Sequence, residues 1–344
     1  MEEGPVGADA LRAVITRVFE KLGMGSPGAA VVADALVWAD LRGLDTHGVS
    51  RLPRYVERIE AGEVDPSAAP TVTRHRAAVA TVAGNRSQGQ LALRTAADEA
   101  VAMAREAGVG WVSIRDASHA GAIGYFTHRI ARERMAALAV GASRPVMLYH
   151  GSRAAGAATN PLAIAVPAGN GRVVSVDMAA STVSRGLLQR HRRTEAPLEP
   201  GWAVDASGHP TCDPTEAVLP TPLGGPKGSG MATLFECLAN VTAGMPLIEP
   251  TLSGRLRHHA QGGAVLALDV EAFRPFDAFA ADVDALADAL RNLPPAEGHR
   301  EVLAPGDRGD RIMAARNRTG IPLDAKVRVS LQEIVGRLGV EMPG

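Results

Sequence analysis

A chain of 344 residues is too long for one small core and suits one large domain or two to three modest ones. With 46% apolar and 21% charged residues and a net charge of -1, it has an ordinary globular make-up. There is no electrostatic footprint for nucleic acid or an acidic membrane. Aromatics at 3% leave no base-stacking platform. Cys212 and Cys237 can neither staple a fold of this size nor form a zinc set, which points to a reducing, cytoplasmic setting. No apolar run reaches the ~18 to 20 residues of a membrane span, and the acidic N-terminus lacks the apolar stretch of a secretory signal.

Leu11, Val14, Ile15, Val18, Phe19 and Leu22 space as one face of an amphipathic helix. Ser26-Pro27 reads as N-cap and first helical residue of a second helix through about Leu41. A third begins near Val49, carries Leu52, Val56 and Ile59 inward, and ends before Gly62. A Pro-containing connector follows, and the pattern then alternates. Strands are predicted at Ala78–Val82, Val109–Ile114, Ala137–Gly141 and Ala264–Val270, and helices at Leu91–Arg105, Gly121–Arg134 and Lys227–Ala243. Leu162–Val166 and Val173–Val176 flank Gly169-Asn170-Gly171 as a hairpin, and Asp205-Ala206-Ser207-Gly208 marks another turn. Two helical stripes close the chain, Phe279–Leu293 and one capped by Asp324. The class is mixed α/β, with helices at both chain ends placed to pack together.

Five polar islands interrupt this apolar background. Arg42–Tyr55 packs Asp45, Thr46, His47, Arg51 and Tyr55 together; were it helical from His47, then His47, Arg51 and Tyr55 would share a face suited to a small anion. Arg115–Ala122 lies where a strand gives way to a helix. There Ser118 can cap the helix and His119 project from its first turn, where the helix terminus would keep the imidazole neutral. The plainer reading is a cap beside a solvated histidine. Thr159-Asn160-Pro161-Leu162 and Val176-Asp177-Met178-Ala179 put polar groups at strand edges, for ribose contact or merely loop capping. Gly224-Gly225-Pro226-Lys227-Gly228 reads either as a hinge or as a backbone cradle for an anion.

Gly23–Gly28 matches the letters G-x-G-x-x-G but joins two helices, so it is discounted, and no Walker loop, H-E-x-x-H or G-x-S-x-G occurs. Two histidines, several cations and no nucleophile–base pair favour proton transfer coupled to a cofactor-borne step.

In sequence order these islands resemble the malate/L-lactate dehydrogenase family with a non-Rossmann fold, which includes ureidoglycolate and L-sulfolactate dehydrogenases and Δ1-piperideine-2-carboxylate reductases. Six motifs carry the likeness: Asp45-Thr46-His47-Gly48 with Arg51 and Tyr55, Ser118-His119, Thr159–Leu162, Asp177-Met178, Gly201–Asp205 and Gly224–Gly228. The resemblance implies a homodimer and an L-sulfolactate-dehydrogenase-like, largely antiparallel NAD(P)-binding domain over 73–304. Residues 1–72 would pack with 305–344 as a helical domain. It implies His119 as acid/base, His47 and Thr46 at the substrate and nicotinamide, and Arg51 and Tyr55 against a small carboxylate substrate. Ser143, Asn160, Asp177, Met178, Ala179, Lys227, Gly306 and Asp307 would hold NAD or NADP. Arg144–Gly151 departs from the relatives' Pro and Trp-Gly pattern; Asp307 replaces their usual glutamate and Ser229 a frequent aromatic.

The expected reaction is hydride transfer between nicotinamide and C2 of a small 2-hydroxy or 2-oxo acid. Its rival is reduction of a cyclic imine carboxylate or other 2-imino acid. A catalytically inactive binding protein on the same fold and a metal hydrolase built on His258-His259 are the readings from other classes. Arg190, Arg192 and Arg193 stand either as 2′-phosphate contacts or as an exposed helix end.

Overall fold

The computed structural model describes residues 4–255 and 261–341, so His258 and His259 lie outside the described residues. Helix α1 (Ala8–Lys21), α2 (Ser26–Leu41) and α3 (Leu52–Glu60) open the chain. Ser26 does not cap α2; Gly25 does, without a side-chain bond, and Pro27 occupies the first turn where its missing N–H costs nothing. Strand β1 (Thr71–Arg76) and β2 (Val79–Ala83) form a hairpin, followed by α4 (Gly89–Ala107), β3 (Val109–Ala117), α5 (Gly124–Arg132) and β4 (Met135–Ala142). Two short strands, β5 (Met147–Leu148) and β6 (Ala155–Ala157), pair with each other. The expected hairpin is β7 (Leu162–Pro167) and β8 (Val173–Met178), turning through Asn170 at φ 56°.

Helix α6 (Arg185–Thr194) precedes a three-stranded flap of β9 (Ala203–Val204), β10 (Pro210–Thr211) and β11 (Leu219–Pro220). Helix α7 (Pro226–Glu236) runs into a wide π-turn over Cys237–Val241, and a short α8 (Ile248–Leu252) leads to β12 (Gln261–Asp269). Helices α9 (Phe276–Arg291), α10 (Asp307–Thr319) and α11 (Ala325–Leu338) complete the chain.

The main sheet runs β1-β2-β3-β12-β4-β7-β8, and of its neighbouring pairs only β2 and β3 are parallel. This is the mixed, largely antiparallel sheet expected. At its centre Val265 of β12 lies between Val112 and Ala139, and all three are buried. The scarcity of aromatics has a geometric counterpart. Ala92, Ala96, Ala97, Ala100 and Ala104 bring α4 so close to the sheet that a Cβ on Gly110 would lie 2.3 Å from the Ala100 carbonyl oxygen. Alanine volumes set that spacing; a leucine at Ala100 would hold helix and sheet apart and cost on the order of 1–3 kcal/mol in overpacking.

A second core joins the chain ends. Leu11, Ile15, Phe19, Leu36 and Leu52 pack with Leu331, Ile334 and Val335 of α11. The ends are tied by paired bonds between Val6 and Ile321, 3.0 and 2.8 Å. Helix α2 belongs to both cores: Leu36 and Val37 face the helices, while Ala35, Trp38 and Ala39 face the sheet. Being apolar all round, it is buried all round. Its C-terminus delivers Asp40 and Arg42 to the active-site region.

Candidate active site

The segment after α2 is not one helix. Two single turns, Asp45–His47 and Val49–Arg51, are separated by Gly48 at ψ -145°, and α3 starts only at Leu52. The reason lies underneath. Buried Asp40 points its carboxylate at this bend and accepts the Val49 N–H at 2.8 Å, and a Cβ on Gly48 would sit 1.9 Å from Asp40 Oδ1. Only glycine lets the backbone cross the carboxylate. Arg316 of α10 bonds the Asp40 carbonyl and reaches Asp45 Oδ1 at 2.6 Å, clamping the bend from outside. The expected single face of His47, Arg51 and Tyr55 is therefore replaced by a folded loop, which still brings the same groups together.

His119 lies in the loop between β3 and α5, not in the first turn of a helix, since α5 begins at Gly124. Ser118 does cap a helix, but a different one: its Oγ accepts the Gly89 N–H of α4 at 2.8 Å. The imidazole stacks on His47 with ring centres 6.0 Å apart and receives the Tyr55 hydroxyl at Nδ1, 2.8 Å away. The Gly121 N–H also points at Nδ1, at 3.2 Å. Gln90 Nε2 lies 3.3 Å from the Tyr55 hydroxyl. His119 is indeed held neutral, well below the usual imidazole range, but burial is the first cause, followed by Arg51, the His47 ring and Arg58. His47 falls to about 4 for the same reason, with Arg51 assisting.

Arg51 anchors its Nε on the Thr46 carbonyl, which leaves the outer edge of the guanidinium open. Gly186 of α6 packs against it: a Cβ there would lie 2.8 Å from Thr46 Cβ and 3.0 Å from Arg51 Nη2. This brings Arg185 to the same mouth, and the like charges of Arg185 and Arg193 depress Arg51 further after burial. Among the described residues no acidic side chain pairs with Arg51, Arg144, Arg185 or Arg193. A hole lined by unpaired guanidiniums is a place for an anion.

The other predicted contacts fall into two groups. Ser143, Asn160, the Asp177–Ala179 run and the start of α7 form one strip. The Ser143 N–H donates to Asn160 Oδ1 at 3.1 Å, and Ala180 bonds Thr159 and Leu223. A Cβ on Gly228 would meet the Ala180 carbonyl at 2.4 Å. Lys227 stands exposed in the first turn of α7 behind Gly224 and Gly225, both at positive φ, with no acidic partner among the described residues. An unpaired lysine at a helix start matches the diphosphate of a dinucleotide, so the strip fits a nicotinamide cofactor.

Within the strip some side chains are already committed. Asn160 donates from Nδ2 to the Ala232 carbonyl at 2.8 Å and accepts the Ser143 N–H at Oδ1, so both ends of its amide bond the scaffold. Asp177 caps α5 by accepting the Gly124 N–H at 2.8 Å, and burial raises its carboxyl to about 6. Gly306 and Asp307 stand apart from His119. Gly306 packs on Ser175 and offers its carbonyl to Arg42, while Asp307 is paired with Arg291 at 2.7 Å and caps the Ala304 N–H. They pin α10 to β8. Arg192 is likewise committed, to the Pro214 and Ala217 carbonyls.

Asp40, Gln88 and Gln90 carry no motif and were missed by sequence reasoning. Two departures from the relatives' pattern meet in space: Ser229 Oγ accepts the His150 N–H at 2.9 Å.

The buried groups set a pH profile of stability. His128, wedged against Trp38 and bonded to Ser175 Oγ at 2.7 Å, falls to about 3 through burial; Asp40 rises to about 7 for the same cause. Near pH 5 the unfolded chain protonates His47, His119 and His128, which the fold keeps neutral. The fold in turn keeps protons on Asp40 and Asp177 that the unfolded chain has lost. The balance favours the unfolded state by one proton, so stability from these groups rises with pH toward 6, by about 1.4 kcal/mol per unit. Between pH 6 and 7.5 the unfolded histidines and the folded carboxyls shed their remaining protons together, so stability from these groups levels off. Asp40→Asn, which keeps an acceptor for Val49, removes one folded-state proton and is expected to steepen the rise from pH 5 to 7 and to stabilise the fold at pH 8 by on the order of 2–4 kcal/mol. Denaturant titrations from pH 5 to 8 check it; an unchanged slope would contradict the assignment.

Comparison with known proteins now bears on this geometry. Residues 6–332 match the family model described as malate/L-lactate dehydrogenase. A malate/(S)-sulfolactate dehydrogenase of Methanothermus fervidus is 31% identical over 340 residues, covering 96% of this chain and 97% of that protein. A Δ1-pyrroline-2-carboxylate reductase of Burkholderia ambifaria is 30% identical over 246 residues, covering 71% and 72%. The crystal structure of malate dehydrogenase from Entamoeba histolytica superposes with a TM-score of 0.93 at 25% identity, covering 99% of each chain.

Proposed function

The chain belongs to the malate/L-lactate dehydrogenase family, and from that premise we propose that it exchanges a hydride between a nicotinamide cofactor and C2 of a small 2-hydroxy or 2-oxo acid, with His119 as acid/base. The observation that supports this most is the convergence of His119, His47, Tyr55 and the open edge of Arg51 in one half-buried place. A nicotinamide cofactor, when bound, supplies or takes the hydride. The protein's part is to hold the carboxylate on Arg51, face the C2 oxygen with His119, and bind the cofactor along Ser143, Asp177–Ala179 and Lys227. Met178 and Ala179, half-buried at the end of β8, would offer apolar surface to it.

Reduction of a cyclic imine carboxylate is the second reading, supported by the Burkholderia relative and by the same carboxylate-plus-proton geometry. NADH and NADPH oxidation assayed with pyruvate, oxaloacetate and Δ1-piperideine-2-carboxylate separates the two, and the ratio of KM values fixes the cofactor. Silence with every 2-oxo and 2-imino acid would refute both.

We further infer a homodimer in a reducing, cytoplasmic setting. Leu234, Leu238 and Val241 form one apolar exposed row along α7 and its π-turn, and both cysteines are free. Residues 1–72 with 305–344 would act as one helical domain against 73–304. No helix among the described residues is long and apolar enough to cross a membrane, and none of their His, Cys, Asp and Glu side chains group as a metal set.

A further inference from the structure

Behind His119 runs a chain of hydrogen bonds whose direction is fixed at both ends by the backbone. Gln88 Nε2 lies 2.9 Å from Gln90 Oε1 and 3.4 Å from the His119 carbonyl oxygen. A carbonyl only accepts, so the Gln88 amide must turn its NH2 that way. Gln90 then receives at Oε1 and donates from Nε2 to the Tyr55 hydroxyl, 3.3 Å away. With its lone pair taken, the hydroxyl sends its own proton to His119 Nδ1 at 2.8 Å. At the other end the Gly121 N–H, which can only donate, faces the same Nδ1 at 3.2 Å. Two donors at Nδ1 leave the ring's proton on Nε2, the nitrogen free of protein bonds among the described residues.

Protonating Nδ1 as well would set an N–H against the Gly121 N–H, in a pocket shared by the cations Arg51 and Arg58 and by His47. The imidazolium is thus the wrong acid for this site. The chain is built in the interior: Tyr55, Gln88 and Gln90 are at most 2% exposed, and Gln88 Oε1 is buried with no partner among the described residues. An orphaned buried acceptor is costly, and a fold keeps one where another requirement fixes the amide.

We propose that Tyr55 is the proton reservoir of His119, aligned by Gln90 and Gln88, and that the pair is set at rest for reduction of a C2 oxo or imino group. This rests on His119 being the acid/base. In the step, the new O–H (or N–H) bond of the product forms as the His119 Nε2–H breaks. The hydride and its electron pair at C2 come from a reduced nicotinamide cofactor. Nδ1 takes the phenol proton as the Tyr55 O–H breaks, leaving a phenolate that Gln90 Nε2–H bonds and that Arg51 and Arg58 face. Solvent then returns the proton. The reverse oxidation needs a lone pair at Nε2, hence a Tyr55 phenolate, and Tyr55 is pushed up to about 12 by burial despite Arg51 and Arg58. Oxidation is therefore an alkaline activity, its turnover rising about tenfold per pH unit, whereas reduction is level across neutral pH.

The test begins with the intact wild-type protein and no substrate. Nitrogen-15 NMR of its histidines, with His119→Gln to assign the signal, should show His119 neutral with the proton on Nε2 from pH 6 to 9. A proton on Nδ1, or an imidazolium at pH 7, would overturn the proposal. Single-turnover reduction in mixed light and heavy water should then give a bowed proton inventory, two protons moving together, and Tyr55→Phe should make it linear. That variant should lose roughly 100-fold in turnover with KM within a few-fold. A linear wild-type inventory, or Tyr55→Phe at full speed, would also overturn it. Wild-type protein inert toward every 2-oxo and 2-imino acid would refute the proposed function instead, with the NMR result still deciding how the ring's protons are held.

Discussion

His119→Ala is expected to lower turnover by roughly 10²- to 10⁴-fold while leaving KM for the acid within a few-fold. The split follows from the division of labour in the site. On the proposed assignment Nε2 of His119 meets the oxygen whose charge changes during reaction, so its loss is felt in the transition state. The proposed grip on the carboxylate lies elsewhere, at the free edge of Arg51. Nor should the substitution unfold the protein: the residue is part-buried at the site and its removal leaves the Tyr55 hydroxyl, which Gln90 still bonds. Cofactor binding, measured by fluorescence titration, should be unchanged. Unaltered turnover would remove His119 from the chemistry and return the acid/base role to His47, stacked 6.0 Å away.

The proposal that His119 rather than His47 carries the proton had its sequence support only in family likeness. Periodicity alone found the amphipathic faces of α1 and α11, the β7–β8 hairpin through Gly169-Asn170-Gly171, and the meeting of the two chain ends. Such features are local, or summed over many residues. It placed the Arg42–Tyr55 segment in a bend and left open a helix from His47; two separate turns stand there because what breaks the helix is tertiary, a buried carboxylate from Asp40 beneath Gly48. It misread Ser118 as the cap of the following helix because the N–H it satisfies belongs to Gly89, twenty-nine residues earlier. Gln88 and Gln90 gave no signal at all. A glutamine at the head of an alanine-rich helix is commonplace in a sequence; its meaning comes from full burial and from the direction of one amide.

The dinucleotide strip shows the same limit from the other side. Asn160 looked like a ligand contact, yet both ends of its amide are committed, to Ser143 and to Ala232. Asp307 looked like one too, and its carboxylate is paired with Arg291. Spacing in sequence finds polar groups near a site, but only their hydrogen-bond partners say whether they remain available to a ligand.

Arg51 is available, and its replacement should raise KM where His119→Ala lowers turnover. Its Nε is tied to the Thr46 carbonyl, so the two outer nitrogens form a fixed fork toward the space beside His119. A carboxylate held there in a part-buried setting is worth about 2–5 kcal/mol against truncation. Arg51→Met, which keeps the stem and removes the charge, is expected to lower kcat/KM by roughly 10²- to 10³-fold, chiefly in KM. Arg51→Lys should recover only part of this, because an ammonium replaces the charge but neither the fork nor the Thr46 anchor. The neighbouring cations sharpen the outcome. Arg185 lies beside Gly186, whose Cα packs on Arg51, so it is the alternative grip on the acid. If Arg51→Met left KM unchanged and Arg185→Ala raised it, the carboxylate would sit on α6, and C2 would approach His119 from the opposite side. If both raise KM, the two guanidiniums share one acid group, or hold two acidic groups of a single substrate. Comparing a mono- and a dicarboxylate 2-oxo acid across the pair of variants separates those cases, because only a substrate with a second acidic group loses affinity at Arg185 independently of Arg51.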